Sequence, residues 1–222
     1  MEQIELLRTA LEQSKIDIYP ELIELFAKYR EMLLSWNRKV NLISKRDEER
    51  IVERHFLESA GLVETVSFPF GSRVIDLGSG AGFPGIPIKL VRPDLKVVLV
   101  ESKRKKVLFL RQVIEKLSLQ RIDVVQGRIE EMEGRIVPAD FVLTRSVADL
   151  STLVKWCRNY LRMPGGKLIA IKGPNVLKEI DCLERETSFP GIELKKVRLV
   201  KYNPFPALSR ARESFVVIIE RT

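Results

Sequence analysis

The sequence predicts an α/β fold: a mostly parallel, seven-stranded sheet covered by helices, an antiparallel hairpin at its carboxyl end, and a helical segment in front. Three observations carry this. From residue 68 onward, short β-branched runs alternate with amphipathic stretches, the pattern of a parallel sheet buried on both faces. The last two strand-like runs have no helix between them, which antiparallel neighbours allow and parallel ones do not. The first 65 residues carry helical periodicity only. The expected division is a helical extension over 1–66 and a sheet domain over 67–222.

Along the chain, Pro20 suits a first helical turn, and Leu22, Ile23, Leu25, Phe26, Tyr29, Met32 and Leu33 recur at three-to-four spacing up to Trp36. A second helix is expected from Asp47, a natural N-cap, with Glu48 and Glu49 near the positive end of its dipole. Its apolar face is Ile51, Val52, Phe56, Ala60 and Val63, and Asn41-Leu42-Ile43-Ser44 connects the two helices. Strands are expected at Arg73–Leu77, Lys96–Glu101, Ile122–Gln126, Asp140–Thr144 and Lys167–Ile171. Helices fill the intervals, notably Ser102–Leu117, Leu150–Leu161 and Asn175–Glu186. Glu193–Lys201 and Glu213–Glu220 form the edge hairpin, joined by the loop Tyr202–Arg212.

Composition bounds the function. With 222 residues, 45% hydrophobic and 31% charged, the chain can bury its own core and is neither disordered nor membrane-like. No apolar run approaches the roughly 18 residues of a spanning helix, and the opening Met1-Glu2-Gln3-Ile4-Glu5 is acidic where a secretory signal is basic, so a cytoplasmic protein is expected. Cys157 and Cys182 have no metal-ligand spacing and read as small apolar residues; no metal is expected. Residues 1–65 carry 10 Lys+Arg against 13 Asp+Glu, a net −3, whereas 66–222 carry 28 against 17, a net +11. A positive field of that size suits nucleic acid, and equally a Lys-rich solubility surface.

The motif with chemical content is Val74-Ile75-Asp76-Leu77-Gly78-Ser79-Gly80-Ala81-Gly82-Phe83-Pro84-Gly85, which leaves a buried strand and opens a helix. Glycines there let a ligand approach the backbone. Gly80, Gly82 and Gly85 also fit the dinucleotide spacing G-x-G-x-x-G. Asp76 separates the two readings, because a carboxylate just ahead of the glycines repels a pyrophosphate and suits the ammonium of a methionine-derived cofactor. Glu101, ending the next strand, accepts ribose hydroxyls from either adenosine cofactor. Asp76, Gly78, Gly80 and Gly82 resemble the first motif of S-adenosylmethionine-dependent methyltransferases, and the last hairpin resembles the end of their sheet, giving a Rossmann-like class I methyltransferase fold. The place after the fourth strand holds Thr144-Arg145-Ser146-Val147 rather than Asn/Asp-Pro-Pro-aromatic, and Asn203-Pro204-Phe205 falls in the last hairpin. The cysteines lie inside expected helices, so no thiolate nucleophile is supported. Transfer to a nucleophile with a free lone pair, such as a ring nitrogen, is what these absences leave.

Asn41-Leu42-Ile43-Ser44, Arg54-His55-Phe56-Leu57-Glu58-Ser59, the Gly78–Gly85 loop extended through Pro87, Phe109-Leu110-Arg111, Arg128-Ile129-Glu130-Glu131, Thr144-Arg145-Ser146 and Ile171-Lys172-Gly173 occur in that order. Together they resemble the glucose-inhibited division protein B family, the 16S ribosomal RNA (guanine-N7) methyltransferases, over about residues 36 to 175. Glu58 stands where the family has aspartate and Thr144 where it has serine, each keeping its functional group. The resemblance implies S-adenosyl-L-methionine as cofactor and 16S ribosomal RNA or a small-subunit assembly particle as partner, with a monomer and no membrane expected. It implies that Gly78 and Phe83 line the cofactor, that Ile129 and Glu130 flank its adenine, and that Arg145 reaches the site from the fourth strand. Arg128, Arg145 and Lys172 are the candidates to grip phosphates or the guanine O6 edge. His55, Trp36 and Trp156 read as packing residues, and Lys103-Arg104-Lys105-Lys106 as a solvated run with Lys103 and Lys106 near enough to meet RNA. A methyltransferase of a small molecule or protein, and a noncatalytic RNA-binding protein on the same fold, are the alternatives.

Overall fold

The computed structural model describes residues 2–186, 192–205 and 213–222, with backbone only over 192–196. Its seven strands are β1 (Arg73–Leu77), β2 (Lys96–Glu101), β3 (Ile122–Gln126), β4 (Phe141–Arg145), β5 (Lys167–Lys172), β6 (Ile192–Tyr202) and β7 (Ser214–Arg221). They lie in the order β3-β2-β1-β4-β5-β7-β6. The first five are mutually parallel, β7 runs antiparallel to β5, and β6 closes the edge against β7. All five parallel strands therefore end at one edge of the sheet, the place where ligands of such folds bind.

Successive side chains of a strand point to opposite faces, and the core divides accordingly. Val74, Leu99, Leu143, Ile169 and Ile171 belong to one cluster, while Ile75, Leu77, Val100, Val142 and Leu168 belong to the other. On the second face lie α8 (Leu150–Cys157) and α9 (Val176–Arg185), whose buried residues join that cluster. The first face is covered by α6 (Gly85–Val91) and α7 (Arg104–Lys116), together with α1 (Glu2–Glu12) and α2 (Leu22–Asn37). The N-terminal helices thus share one continuous core with the sheet: Leu7, Leu11, Phe26, Tyr29 and Phe56 are buried in the same cluster as Val74 and Leu99.

The expected elements recur, three of the strands residue for residue and the other four within one residue at each end, with four differences of physical interest. The second helix is not continuous from Asp47. It is broken into α3 (Lys45–Glu48), a π-helical turn at Val52–Leu57, α4 (Glu58–Ala60) and α5 (Leu62–Thr65). Ser44 takes the N-cap position, and Asp47 spends its carboxylate on the Ser44 hydroxyl at 2.7 Å instead of on helix N–H groups. The fourth strand is displaced by one residue, so that Arg145 is its last member. Residues 158–160 form a 3-10 turn after α8 rather than more of it. Cys157 is buried as expected, but Cys182 is exposed on α9 and is no apolar packing residue. The part of the loop Tyr202–Arg212 beyond Phe205 lies outside the described residues.

The hairpin is fastened to the N-terminal segment at a position that tolerates no side chain. A Cβ on Gly61 would lie 2.3 Å from Pro204 Cβ, and the Tyr202 hydroxyl donates to the Glu58 carbonyl close by. Gly61→Ala is therefore expected to cost about 1–3 kcal/mol by overpacking. In a urea titration the midpoint should fall with the slope unchanged; an unchanged midpoint would mean that Pro204 yields freely.

Candidate active site

A cleft of about 500 Å³ opens at the carboxyl edge of the sheet. One wall is the glycine loop between β1 and α6, another the segment around Asp47 to Glu58, and a third the ends of β4, β5 and β6. The loop is fixed from below: Gly78 and Ser79 both donate their N–H to the Val100 carbonyl, at 2.9 and 3.1 Å, and Gly80 donates to Glu101 Oε2 at 3.0 Å. From the outside, the Tyr29 hydroxyl donates to the Ala81 carbonyl.

The glycines divide by what surrounds them. A Cβ on Gly82 would fall 2.7 Å from the Tyr29 hydroxyl, and one on Gly85 would fall 2.6 Å from Asp76 Oδ2. These two are glycines because protein occupies the space. Gly80, at φ +60°, has nothing nearer than 3.8 Å, its neighbours there being the Gly78 carbonyl and Lys106 Nζ. Of these loop glycines, Gly80 is the one whose surroundings leave room for a ligand against the backbone.

Asp76 lies beneath the loop, fully buried. Its Oδ2 accepts the Gly85 N–H at 2.9 Å, while Oδ1 is buried without a hydrogen-bond partner. Burial pushes its carboxyl up to about 7. Glu101 ends β2 beside it and accepts from Gly80 with one oxygen and from the Lys103 N–H, at 2.8 Å, with the other. An orphaned carboxylate oxygen, an open glycine and an acidic residue at the next strand end fit the ammonium, backbone approach and ribose of S-adenosylmethionine.

Arg145 is the centre of the opposite wall. Its Nη1 donates to the Arg54 carbonyl at 3.0 Å and to Glu58 Oε2 at 3.2 Å, and Nη2 donates to His55 Nδ1 at 2.8 Å. The guanidinium stands 5.0 Å from the centre of the Phe83 ring, on which His55 stacks at 4.7 Å. Because an arginine only donates, His55 Nδ1 accepts, and the neutral Nε2–H tautomer follows. Burial first, and then the Arg145 charge, hold His55 down to about 3. The next residue, Ser146, also lines the cleft and has φ +56°, a conformation that side chains rarely adopt.

The other expected site residues are distributed unevenly. Lys172 lines the cleft but is nearly buried, its ammonium donating to the Ala148 carbonyl at 2.5 Å and to Glu179 Oε2 at 2.7 Å. That is the environment of a cross-link between β5 and α9, so a phosphate or guanine O6 reaching Lys172 from the cleft would share it with Glu179. Arg128 and Glu130 are exposed and Ile129 is buried in the second core cluster; none lines the cleft. They follow β3 just past Gly127, whose N–H donates to the Glu101 carbonyl at 3.0 Å, and so stand on the Glu101 side of the glycine loop. Sequence reasoning passed over Tyr29, Asp47 and the segment Tyr202–Phe205, all of which touch the loop or line the cleft. The only signal for the last was Asn203-Pro204-Phe205, set aside because it stood in the wrong hairpin.

His55 makes stability pH-dependent. Its pKa is about 3 in the folded chain and near 6.5 when unfolded, so the unfolded state binds the extra proton between these values. Its contribution is complete above about pH 6.5 and is lost as the pH falls toward 3. His55→Phe, which keeps a ring against Phe83, should flatten the loss of stability between pH 6.5 and 4; an unchanged profile would mean that His55 is already protonated in the fold.

Comparison with known proteins agrees with this geometry. The model of the rRNA small subunit methyltransferase G family matches residues 22–207. The ribosomal RNA small subunit methyltransferase G of Moorella thermoacetica is 37% identical over 185 residues, covering 82% of this chain and 77% of that protein. Its counterpart in Clostridium novyi is 32% identical over 200 residues, covering 89% and 82%. Among solved structures, an S-adenosylmethionine-dependent methyltransferase from Aquifex aeolicus superposes with a TM-score of 0.57 at 18% identity, covering 80% of this chain and 96% of that one. A fibrillarin from Aeropyrum pernix with bound S-adenosyl-L-methionine gives 0.52 at 17% identity, covering 73% of each. These last two speak for the fold alone, a class I methyltransferase fold, whereas the sequence matches place the chain in the rRNA small subunit methyltransferase G family.

Proposed function

We propose that the chain transfers a methyl group from S-adenosylmethionine to N7 of one guanosine in small-subunit ribosomal RNA, either as free RNA or in an assembly particle, acting as a monomer in the cytoplasm. The observation that carries this is that the open Gly80 backbone and the clamped Arg145 line one cleft, with the orphaned Asp76 oxygen buried beneath the same glycine loop. No helix among the described residues is long and apolar enough to cross a membrane.

The cofactor supplies the sulfonium methyl. Guanine N7 carries a lone pair and no proton, so the residues of the cleft have no base catalysis to perform and act by positioning. In this reading Asp76 Oδ1 and Glu101 hold the ammonium and ribose ends. Ile129 and Glu130 flank the adenine beyond Glu101. Arg145 Nη1 is fully committed, but Nε–H and the second Nη2 hydrogen have no partner among the described residues, and they are the donors left for guanine O6 or a phosphate. Arg128, exposed beyond β3, is left for the RNA backbone.

Quantifying N7-methylguanosine in small-subunit RNA incubated with the chain and S-adenosylmethionine tests the reading; methyl on another acceptor, or none, would sink it. Arg145→Ala should lower turnover on the order of a hundredfold, since alignment is what it supplies. The thermal midpoint should fall as well, because Glu58 and His55 lose their partner. Lysine should rescue turnover poorly, lacking the forked donor geometry. A wild-type rate in Arg145→Ala would remove Arg145 from the mechanism.

Asp76 gives a second test. With a carboxyl near 7, cofactor binding through an ionised Asp76 must expel its proton at lower pH. Calorimetric affinity should therefore drop about tenfold per pH unit below 7, and Asp76→Asn should flatten the profile. A flat profile in the unaltered chain would mean that Asp76 serves only to hold Gly85.

A further inference from the structure

A second, shallower cleft of about 420 Å³ lies between the end of α2 and the start of α7, lined by Ser35, Trp36, Lys39, Val40 and Lys105. We propose that it binds a nucleotide flanking the target guanosine, with the base against Trp36 and phosphates on Lys39 and Lys105; this rests on the RNA methyltransferase reading above.

Three independent features point there. The indole of Trp36 is part-exposed, with its ring tilted on Phe109 at 5.7 Å and its N–H donating to Gln112 Oε1 at 3.2 Å. Its orientation is fixed and its single donor satisfied, so what it offers outward is ring surface, on which any base stacks. The cations beside it lack acidic partners. Arg38, Lys39, Arg104 and Lys105 are exposed and make no ion pair among the described residues. On other helices some surface cations do pair with their own helix's carboxylates, as Lys28 does with Glu24 and Arg185 with Asp181; what marks this group is that four unpaired cations cluster beside an aromatic ring. An unpaired basic rim around an aromatic ring complements a phosphodiester chain with exposed bases, and an acidic protein surface would leave the ring unused.

The third feature is position. Lys105 lines this cleft and Lys106, its neighbour in sequence, lines the active cleft beside Gly80. The first turn of α7 therefore separates the two, and one strand of RNA can pass from one to the other while its target base is drawn out of the stack.

The chain contains two tryptophans, so in Trp156→Phe the emission reports Trp36 alone. A single-stranded RNA of about a dozen nucleotides should quench that emission on binding, spanning the few bases such surfaces accommodate. The double variant Lys39→Glu, Lys105→Glu should weaken RNA binding about tenfold, and should reduce the slope of log affinity against log salt by about 1.4, the value for two single-strand phosphate contacts. Cofactor affinity should not change, since neither lysine lines the active cleft. Unquenched Trp36, or an unaltered RNA affinity and salt slope in the double variant, would overturn the site. So would a loss of methylation confined to protein-containing subunits, which would assign the patch to a ribosomal protein. Failure of the unaltered chain to methylate RNA at all would instead count against the proposed function, independently of the binding data.

Discussion

A cation at the end of a buried strand must be neutralised where it stands, and much of this structure follows from how that is done for Arg145. Its side chain is only 14% exposed. Burial of an unpaired guanidinium is costly enough that the surroundings must supply acceptors. The sheet cannot: β4 is flanked by β1 and β5, whose own backbone groups are used in the ladders. The acceptors come from the N-terminal segment, as the Arg54 carbonyl, the His55 ring and the Glu58 carboxylate. Glu58 then extends the network to the hairpin, accepting the Ser214 hydroxyl with its other oxygen at 3.0 Å and the Tyr202 hydroxyl at its carbonyl. The Glu58 side chain thus reaches both Arg145 and Ser214. One arginine thereby ties together three regions remote in sequence.

The same packing buries Asp76 and His55 and gives them their unusual titration. Asp76 and His55 are both pushed toward their neutral forms, one upward and one downward, and burial is the main cause for each. Arg145 acts on both, opposing the rise of Asp76 and adding to the fall of His55. Hydrogen bonds from the Tyr29 hydroxyl to Ala81 and from Gly78 and Ser79 to the Val100 carbonyl fix the shape of the glycine loop. Positioning is then a property of the fold, as a transfer to an unprotonated nitrogen demands.

Much of this was legible in the sequence because the parallel sheet is buried on both faces. Runs such as Val74-Ile75 and Val97-Val98-Leu99-Val100 announce themselves, and a strand followed by Asp76 and a run of glycines marks the ligand edge. What was not legible depends on contacts across the chain. Asp47 reads as a cap by local rules, but its carboxylate is claimed by Ser44 and lies near Arg54 and His55, so the helix breaks where the periodicity continues. Gly82 and Gly85 look like ligand glycines by spacing, yet a Cβ on Gly82 would meet Tyr29 and one on Gly85 would meet Asp76, contacts that spacing alone cannot see. Lys172 sits in a motif that resembles a site and is spent on Glu179, seven residues on and in another element.

The placement of charge shows how the chain's net +8 is used. Within the active cleft the cations are largely answered: Arg50 by Glu53, Arg54 by Asp47, Arg145 by Glu58 and Lys172 by Glu179. Among the described lining residues, Lys106 alone is a cation without an ion pair. A cleft balanced in this way exerts little long-range pull on a polyanion. Attraction must come from the unpaired cations outside it, at the start of α7 and beyond the end of α2. Capture and chemistry are thus separated in space. The rim supplies the salt-sensitive part of binding, while the interior, screened and nearly neutral, is left to discriminate one base by shape and hydrogen bonding.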